Sequence, residues 1–305
     1  MSVSALLGKI FRRNSASRGK ATPFADPGTL AKGVRLEDRF REVVADPVNL
    51  LIRRVPEAGF VDAAGQIVLH NGLRVPLRGP GSYYGDFSDL LIINRGVHEP
   101  LEEYCFQEVL ALLPERPVML ELGAYWAHYS MWLKQARPAA FCHMVESDPV
   151  NLAAGRANFE RNHLAGEFHL GFVAQGAFEV DRFLEERGLP GLDILHADIQ
   201  GHEAEMLDGA AKTLAARRAG RVFVSTHSEA LHAGVEARLR AQGYLIEASS
   251  SFESHTTSYD GFILASAPGL QPVLGGWQAL GRLEMLRADP ARLLRSIAGR
   301  VGSPA

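Results

Sequence analysis

Beyond residue 117 the chain keeps a regular rhythm: short apolar runs separated by stretches with apolar residues at helical spacing. The runs are "VMLELG", "FCHMVES", "FHLGFVA", "LDILHADI" and "VFVSTHS". Such alternation predicts βαβ units, hence a parallel sheet with helices on both faces. The last two runs, "YLIEASS" and "GFILASA", break the rhythm, because only the polar link "SFESHTTSYD" lies between them. A parallel crossover needs a dozen or more residues, usually a helix, so these two strands should pair antiparallel. The expectation is an α/β, Rossmann-like fold, a mostly parallel sheet with a C-terminal antiparallel hairpin strand.

Upstream the pattern changes. "VRLEDRFREVVADPVNLLIRRV" reads as helix interrupted at Pro47, and the alternating "GFVDAAGQIVLHNGLRVPLRG" carries Asn71-Gly72, a hairpin signal. "LEEYCFQEVLALL" has helical spacing and leads straight into the first strand of the main domain. After Pro268, "WQALGRLEMLRADPARLLRSIAGRV" predicts a helical, arginine-rich tail, suited to packing on the domain or to self-association. The expected organisation is a basic, flexible segment over residues 1–34, a helix and hairpin extension over 35–99, the main domain over 100–268 and the tail over 269–305.

Composition excludes more than it assigns. Of 305 residues, 47% are hydrophobic and 22% charged, as in a globular protein with a sizeable core. A net charge of −3 gives no general case for nucleic acid. Two cysteines, Cys105 and Cys142, cannot build a disulfide framework or a cysteine-based zinc site, and a reducing, cytoplasmic setting is expected. No run approaches the roughly 18 apolar residues of a membrane span. The first residues carry Lys9, Arg12, Arg13, Arg18 and Lys20 without an acid. They read as a peripheral contact with an anionic membrane surface or as a solvated tail.

Candidate chemistry begins at "ELGAYWAHYS". In doubly wound sheets, ligands bind beyond the C-terminal ends of strands, where strand order reverses. Gly123 ends the first strand and lets backbone approach a ligand without a Cβ in the way. Glu146 ends the second strand 23 residues later, where a carboxylate grips a ribose diol in this fold class. Asp148 is an N-cap candidate, with Pro149 at the first helical position. The loop lacks a second and third glycine, which speaks against a pyrophosphate ligand and for a cofactor without phosphate.

The most specific stretch is "LDILHADIQGHEAEMLDGA". It resembles the FkbM-type methyltransferases, whose fourth strand ends in D-x-x-G-x-E-x-x-x-L-x-G; Asp198, Gly201, Glu203, Leu207 and Gly209 fit every place. Glu121, Gly123 and Ser130 resemble the family's first motif, and "VESDPVNLAAGRANFERNHLAG", with Asn158 and Asn162, its second segment. The likeness runs over residues 118–267. It implies a class I methyltransferase fold, S-adenosyl-L-methionine as cofactor, and O-methylation of a sugar or polyol-like metabolite. The expected cofactor contacts are Glu121, Gly123, Ala124, Tyr125, Glu146, Ser147 and Asp198.

Asp198, His227 and Glu203 are the candidate catalytic residues, and the same three form a candidate divalent metal set. The expected partner is a small-molecule or glycan acceptor, and the polar link 249–260 is placed to meet it. Where family members carry glycine this chain has Ala127, and where they carry a small polar residue it has Tyr125. One methyl group at Ala127 fits if its backbone is already helical. These departures keep open a non-catalytic glycan- or partner-binding module of the same fold. A nicotinamide-dependent oxidoreductase is disfavoured by the single-glycine loop and the terminal hairpin.

Overall fold

The computed structural model describes residues 36–301; the basic segment expected over 1–34 lies outside the described residues. The extension contains a helix, Leu36–Ala45, a 3-10 turn, Pro47–Leu50, a hairpin of β1 (Gln66–Val68) and β2 (Arg74–Pro76), and a second 3-10 turn, Gly85–Ser88, running into a short helix, Asp89–Ile93. Asp46 starts the first 3-10 turn by accepting the Val48 amide at 2.8 Å, with Pro47 following, which is why the helix breaks there. Gly72 has φ +90 in the hairpin turn, the left-handed conformation that Asn-Gly turns supply.

The main sheet has seven strands: β3 (Val118–Leu122), β4 (Phe141–Glu146), β5 (Glu167–Leu170), β6 (Leu192–Ala197), β7 (Ala219–Thr226), β8 (Leu245–Ser250) and β9 (Gly261–Ser266). Their order is β5-β4-β3-β6-β7-β9-β8. The first five are parallel to one another, and β9 runs antiparallel to both β7 and β8. This is the class I methyltransferase arrangement expected from the hairpin. β5 stops at Leu170, earlier than the run "FHLGFVA" suggests. Gly171 donates to the Glu146 carbonyl, and the chain then turns so that Val173 bridges Phe178.

Side-chain alternation along the central strands builds two cores. Met119, Ile194, Phe223 and Leu264 face one, and Leu120, Leu195, Val222 and Ile263 face the other. Val43, Ile67, Leu69 and Tyr83 of the extension pack into the first of these, with Phe106 from the helix Pro100–Leu112. Cys105 and Cys142 are buried and unpaired. Among the described residues no helix is long and apolar enough to cross a membrane.

The tail packs on the domain. Its helices are Arg282–Met285 and Pro290–Ala298, while Trp277 and Gln278, expected in a helix, lie outside any regular element. Arg282, fully buried, pairs with Glu42 at 2.7 Å, and Arg300 reaches the Tyr104 hydroxyl at 2.6 Å.

The chain leaves β3 toward β4 and β5, then returns to β6 on the other side, so strand order reverses between β3 and β6. Their C-terminal ends touch. The Asp198 amide donates to the Leu122 carbonyl at 2.9 Å, and Gly123 adopts φ +74. A Cβ on Gly123 would lie 1.8 Å from the Asp198 carbonyl oxygen. Gly123→Ala should therefore cost about 2–4 kcal/mol through overpacking and left-handed strain. Urea unfolding measures it, and a loss below about 1 kcal/mol would mean that the two strand ends are not held in contact.

Candidate functional site

The loop after β3 is held from two sides. Glu146, 7% exposed at the end of β4, accepts the Tyr125 amide on Oε2 at 3.0 Å and the Asp148 amide on Oε1 at 2.9 Å. Ser147 adds a longer hydroxyl contact to Oε1 at 3.4 Å. On the other side Gly155 of the helix Pro149–Arg161 lets that helix approach, since a Cβ there would lie 2.9 Å from the Tyr125 carbonyl. Asn158, fully buried, donates to the Trp126 carbonyl and to the Gly81 carbonyl.

This bracing holds two left-handed residues, Tyr125 at φ 43 and Ala127 at φ 62. Ala127 is thus not in right-handed helical conformation, contrary to the expectation under which its methyl group would fit. Each such residue costs about 1–2 kcal/mol, which explains why glycine suits this loop. The Tyr125 ring points out of the loop toward the extension. Its hydroxyl donates to the Ser82 carbonyl at 2.9 Å, and it stacks on Tyr84 with ring centres 5.0 Å apart.

The stacked tyrosines stand between two cavities. One, of about 290 Å³, is lined by Glu146, Ser147, Asn151, Phe172, Val173 and Ile199 among others. The second, of about 480 Å³, is lined by His98, Glu99, Glu121, Ala124, His227 and Asp260 among others. Gly123, Tyr84, Tyr125, Asp198 and Gln200 border both. Glu121, nearly fully buried, accepts the Ser130 amide at 3.2 Å, and burial pushes its carboxyl pKa up. The floor is polar as well. Tyr129 donates to Glu99 at 3.0 Å, and His196 pairs with Glu102 at 2.7 Å. Burial, reinforced by Glu99, pushes Glu102 up to about 7.

At the rim, β6 and β7 bring Asp198 and His227 together. His227 Nε2 lies 3.1 Å from Asp198 Oδ1 and 3.5 Å from Asp260 Oδ1, and Nδ1 lies 2.5 Å from Glu203 Oε1. Burial disfavours the imidazolium, but hydrogen bonds to Asp198 and Glu203 and the charge of Asp260 outweigh it, raising the pKa to about 10. Asp198 caps no helix: the following one, Glu203–Gly209, has His202 at its N-cap position.

Glu203 is fully buried behind His227, where it also accepts the Gly201 amide at 3.1 Å. It meets the far ring nitrogen, so Asp198, Glu203 and His227 do not converge on one point. The donor atoms that do converge, within 4.8 Å of one another, belong to Asp198, His227 and Asp260. Asp260 corrects the expected metal set, and its only sequence signal is its position just before β9.

The other expected contacts, Glu121, Gly123, Ala124, Tyr125, Glu146 and Ser147, all border one cavity or both. Tyr84, His98 and Glu99 were not singled out in the sequence; they come from the extension and the turn before the helix Pro100–Leu112, and no local motif marks them. His202 lies on the smaller cavity, while His255 lines neither of the two.

No curated protein matches the chain. Among solved structures it is similar to an O-methyltransferase from Bacillus cereus in complex with SAH, at 16% identity and a TM-score of 0.41, over 56% of this chain and 82% of that one. It is also similar to precorrin-6y C5,15-methyltransferase from Geobacter metallireducens GS-15, at 17% identity and a TM-score of 0.40, over 53% of this chain and 86% of that one. Residues 107–246 match the family described as the methyltransferase FkbM domain. Over these residues, a little under half of the chain, the sequence is similar to the FkbM-type methyltransferases.

Proposed function

We propose that this chain methylates a hydroxyl of a small polar acceptor, a sugar or polyol-like metabolite. The observation that carries this reading is the chain of charges Glu203–His227–Asp198, which ends on the 480 Å³ cavity at the reversal of strand order. That cavity mixes acids with aromatic rings: Glu99 and Asp260 can accept hydroxyls, and Tyr84 and Tyr259 offer flat apolar faces.

The residues present fit the cofactor. Each oxygen of Glu146 holds one backbone amide and keeps further acceptor capacity, which suits a ribose diol. Phe172, Val173 and Ile199 give the same cavity an apolar wall for a purine. When bound, S-adenosyl-L-methionine supplies an already activated methyl group, so no covalent enzyme nucleophile is needed.

The work left to the protein is alignment and proton handling. Alignment alone can supply a large part of the barrier reduction. Asp198 is the group proposed to hold the acceptor hydroxyl. It orients the hydroxyl and receives the proton late, once the forming C–O bond has made that proton acidic. His227, protonated at neutral pH, positions that carboxylate, and Glu203 positions His227. A divalent ion held by Asp198, His227 Nε2 and Asp260 is the variant of this scheme that would acidify the hydroxyl instead.

The alternative of a non-catalytic module rested on Tyr125 and Ala127. Both are accommodated, Tyr125 by the Ser82 carbonyl and Tyr84, and Ala127 by a left-handed turn over Gly155. The antiparallel β9 in the sheet speaks against the oxidoreductase.

Three outcomes test the reading. Asp198→Asn should lower turnover by about 10²- to 10⁴-fold with unchanged melting and SAH affinity, assayed with and without chelator. A fully active variant would sink both the direct and the metal scheme. Glu146→Gln should weaken SAH binding by about tenfold or more in calorimetry, with a smaller loss of stability because one oxygen still accepts an amide; parental affinity would remove Glu146 from the ribose site.

The third outcome concerns His227. Its folded pKa is raised from 6.5 to about 10, so the charged ring stabilises the fold fully below pH 6.5, and that contribution fades as pH rises through about 10. His227→Gln should flatten part of the stability loss over this window in urea unfolding. His98, raised to about 10 by Glu103 and Glu99 against the opposing effect of burial, keeps its own share. An unchanged pH profile in the variant would mean that the imidazole is not held charged by its three carboxylates.

A further inference from the structure

Beneath the larger cavity, away from Asp198 and His227, lies a second group of potential ligands that the methyl-transfer scheme does not use. His70 follows β1 in the hairpin, Glu103 sits in the first turn of the helix Pro100–Leu112, and His128 opens the helix His128–Ala136 directly after the loop 123–127. All three are buried, and their donor atoms lie within 4.8 Å of one another.

The bonding state of these atoms is unusual. Among the described residues, both ring nitrogens of His128 lack a hydrogen-bond partner although the residue is 1% exposed. His70 Nε2 and Glu103 Oε2 stand 2.9 Å apart, an ion-pair distance, yet neither makes a hydrogen bond of acceptable angle. Leaving buried polar groups unpaired costs about 1–3 kcal/mol each, and a cluster of them in one spot needs an occupant to explain it. His98 Nδ1 stands in the same relation to Glu103 Oε1, 2.6 Å away without a hydrogen bond of acceptable angle, whereas His128 has no carboxylate at either nitrogen.

We propose that His70, Glu103 and His128 form a binding site for a divalent transition metal, with zinc as the best match. Two imidazoles and one carboxylate are a ligand set zinc accepts, with bonds of about 2.0–2.2 Å. Tetrahedral geometry would bring the donor atoms to about 3.3 Å from one another, a shift on the scale of side-chain adjustment.

The surrounding groups suit ligation. His70 Nδ1 is 3.3 Å from the Arg53 carbonyl, which fixes the ring with Nε2 free to ligate. His98 occupies the other carboxylate oxygen of Glu103 and orients it in the same way. Both His128 ring nitrogens are without a protein partner, so either is available as a donor. His128 also lines the 480 Å³ cavity, which provides a path of entry and room for a water in the fourth position.

Such an ion would be structural. It would join the hairpin, the helix Pro100–Leu112 and the first turn after the cofactor loop, fastening the extension to the loop that carries Tyr125 and Ala127. Its test reads retained metal and melting rather than methyl transfer, so its outcome is distinguishable from that of the proposed function.

The test uses the full chain, stripped with a chelator, reloaded with Zn²⁺ and freed of loose metal by gel filtration. Retained zinc and the melting temperature are then measured. His128→Phe fills the same space with a ring that needs no partner, so it should fold as well as the metal-free parent while retaining one zinc fewer per chain and losing the zinc-induced rise in melting temperature. His70→Gln, which keeps a donor for the Arg53 carbonyl, should show the same loss and serves if the phenylalanine variant does not fold. Replacing His143 and His169, a more exposed histidine pair on β4 and β5, should leave this zinc in place. A parent that retains no zinc, or variants at 128 and 70 that retain as much as the parent, would overturn the proposal.

Discussion

The crevice exists because β3 and β6 meet at Gly123. With hydrogen in place of a side chain, the backbone of Gly123 can lie against the Asp198 carbonyl, and the Asp198 amide can reach Leu122. That contact sets the height of Asp198 relative to the loop after β3. It thereby sets how far the carboxylate stands from His227 and how the two cavities meet. Any residue with a Cβ would have to part the strands first, and β7 would follow β6.

Charge is the second organising quantity. His227 is surrounded by Asp198, Glu203 and Asp260, and the floor adds Glu99, Glu102, Glu103 and Glu121. Buried carboxylates are costly unless paired, and this site pairs most of them with histidine or backbone amides. Histidine suits that task because its protonation adjusts to its neighbours. His98 and His227 are driven toward the charged form, whereas His128, with no carboxylate bonded to it, is driven toward the neutral one. The result is a crevice with acidic groups crowded around its rim, appropriate to a positively charged cofactor.

The extension is part of this site. The segments between its hairpin and the helix Pro100–Leu112 contribute Tyr84, His98 and Glu99 to the cavity walls, and Ser82 anchors Tyr125. The strained loop after β3 would be hard to hold with the methyltransferase sheet alone. Two left-handed residues need partners outside the loop, and the extension supplies several of them. The bulky Tyr125, which looks like an obstruction in the sequence, is turned aside by those partners.

Much of the architecture was legible in the residues. The alternation of apolar runs with helical stretches foretold the parallel sheet, and the helix-free link 251–260 foretold the antiparallel end, because local chain length limits which strands can pair. Gly123, Glu146 and Asp198 could be placed at strand ends from spacing alone. That β9 lies beside β7 was not read from the residues, although β9, GFILAS, is the more apolar strand and β8 carries Glu247. Nor was the partnership of Asp260 with His227, 33 positions apart in sequence, or the left-handed state of Ala127. The role of Glu203 changed too. A motif names residue types at strand ends, but the direction from which a carboxylate meets an imidazole is fixed only when two strands and a helix are packed together.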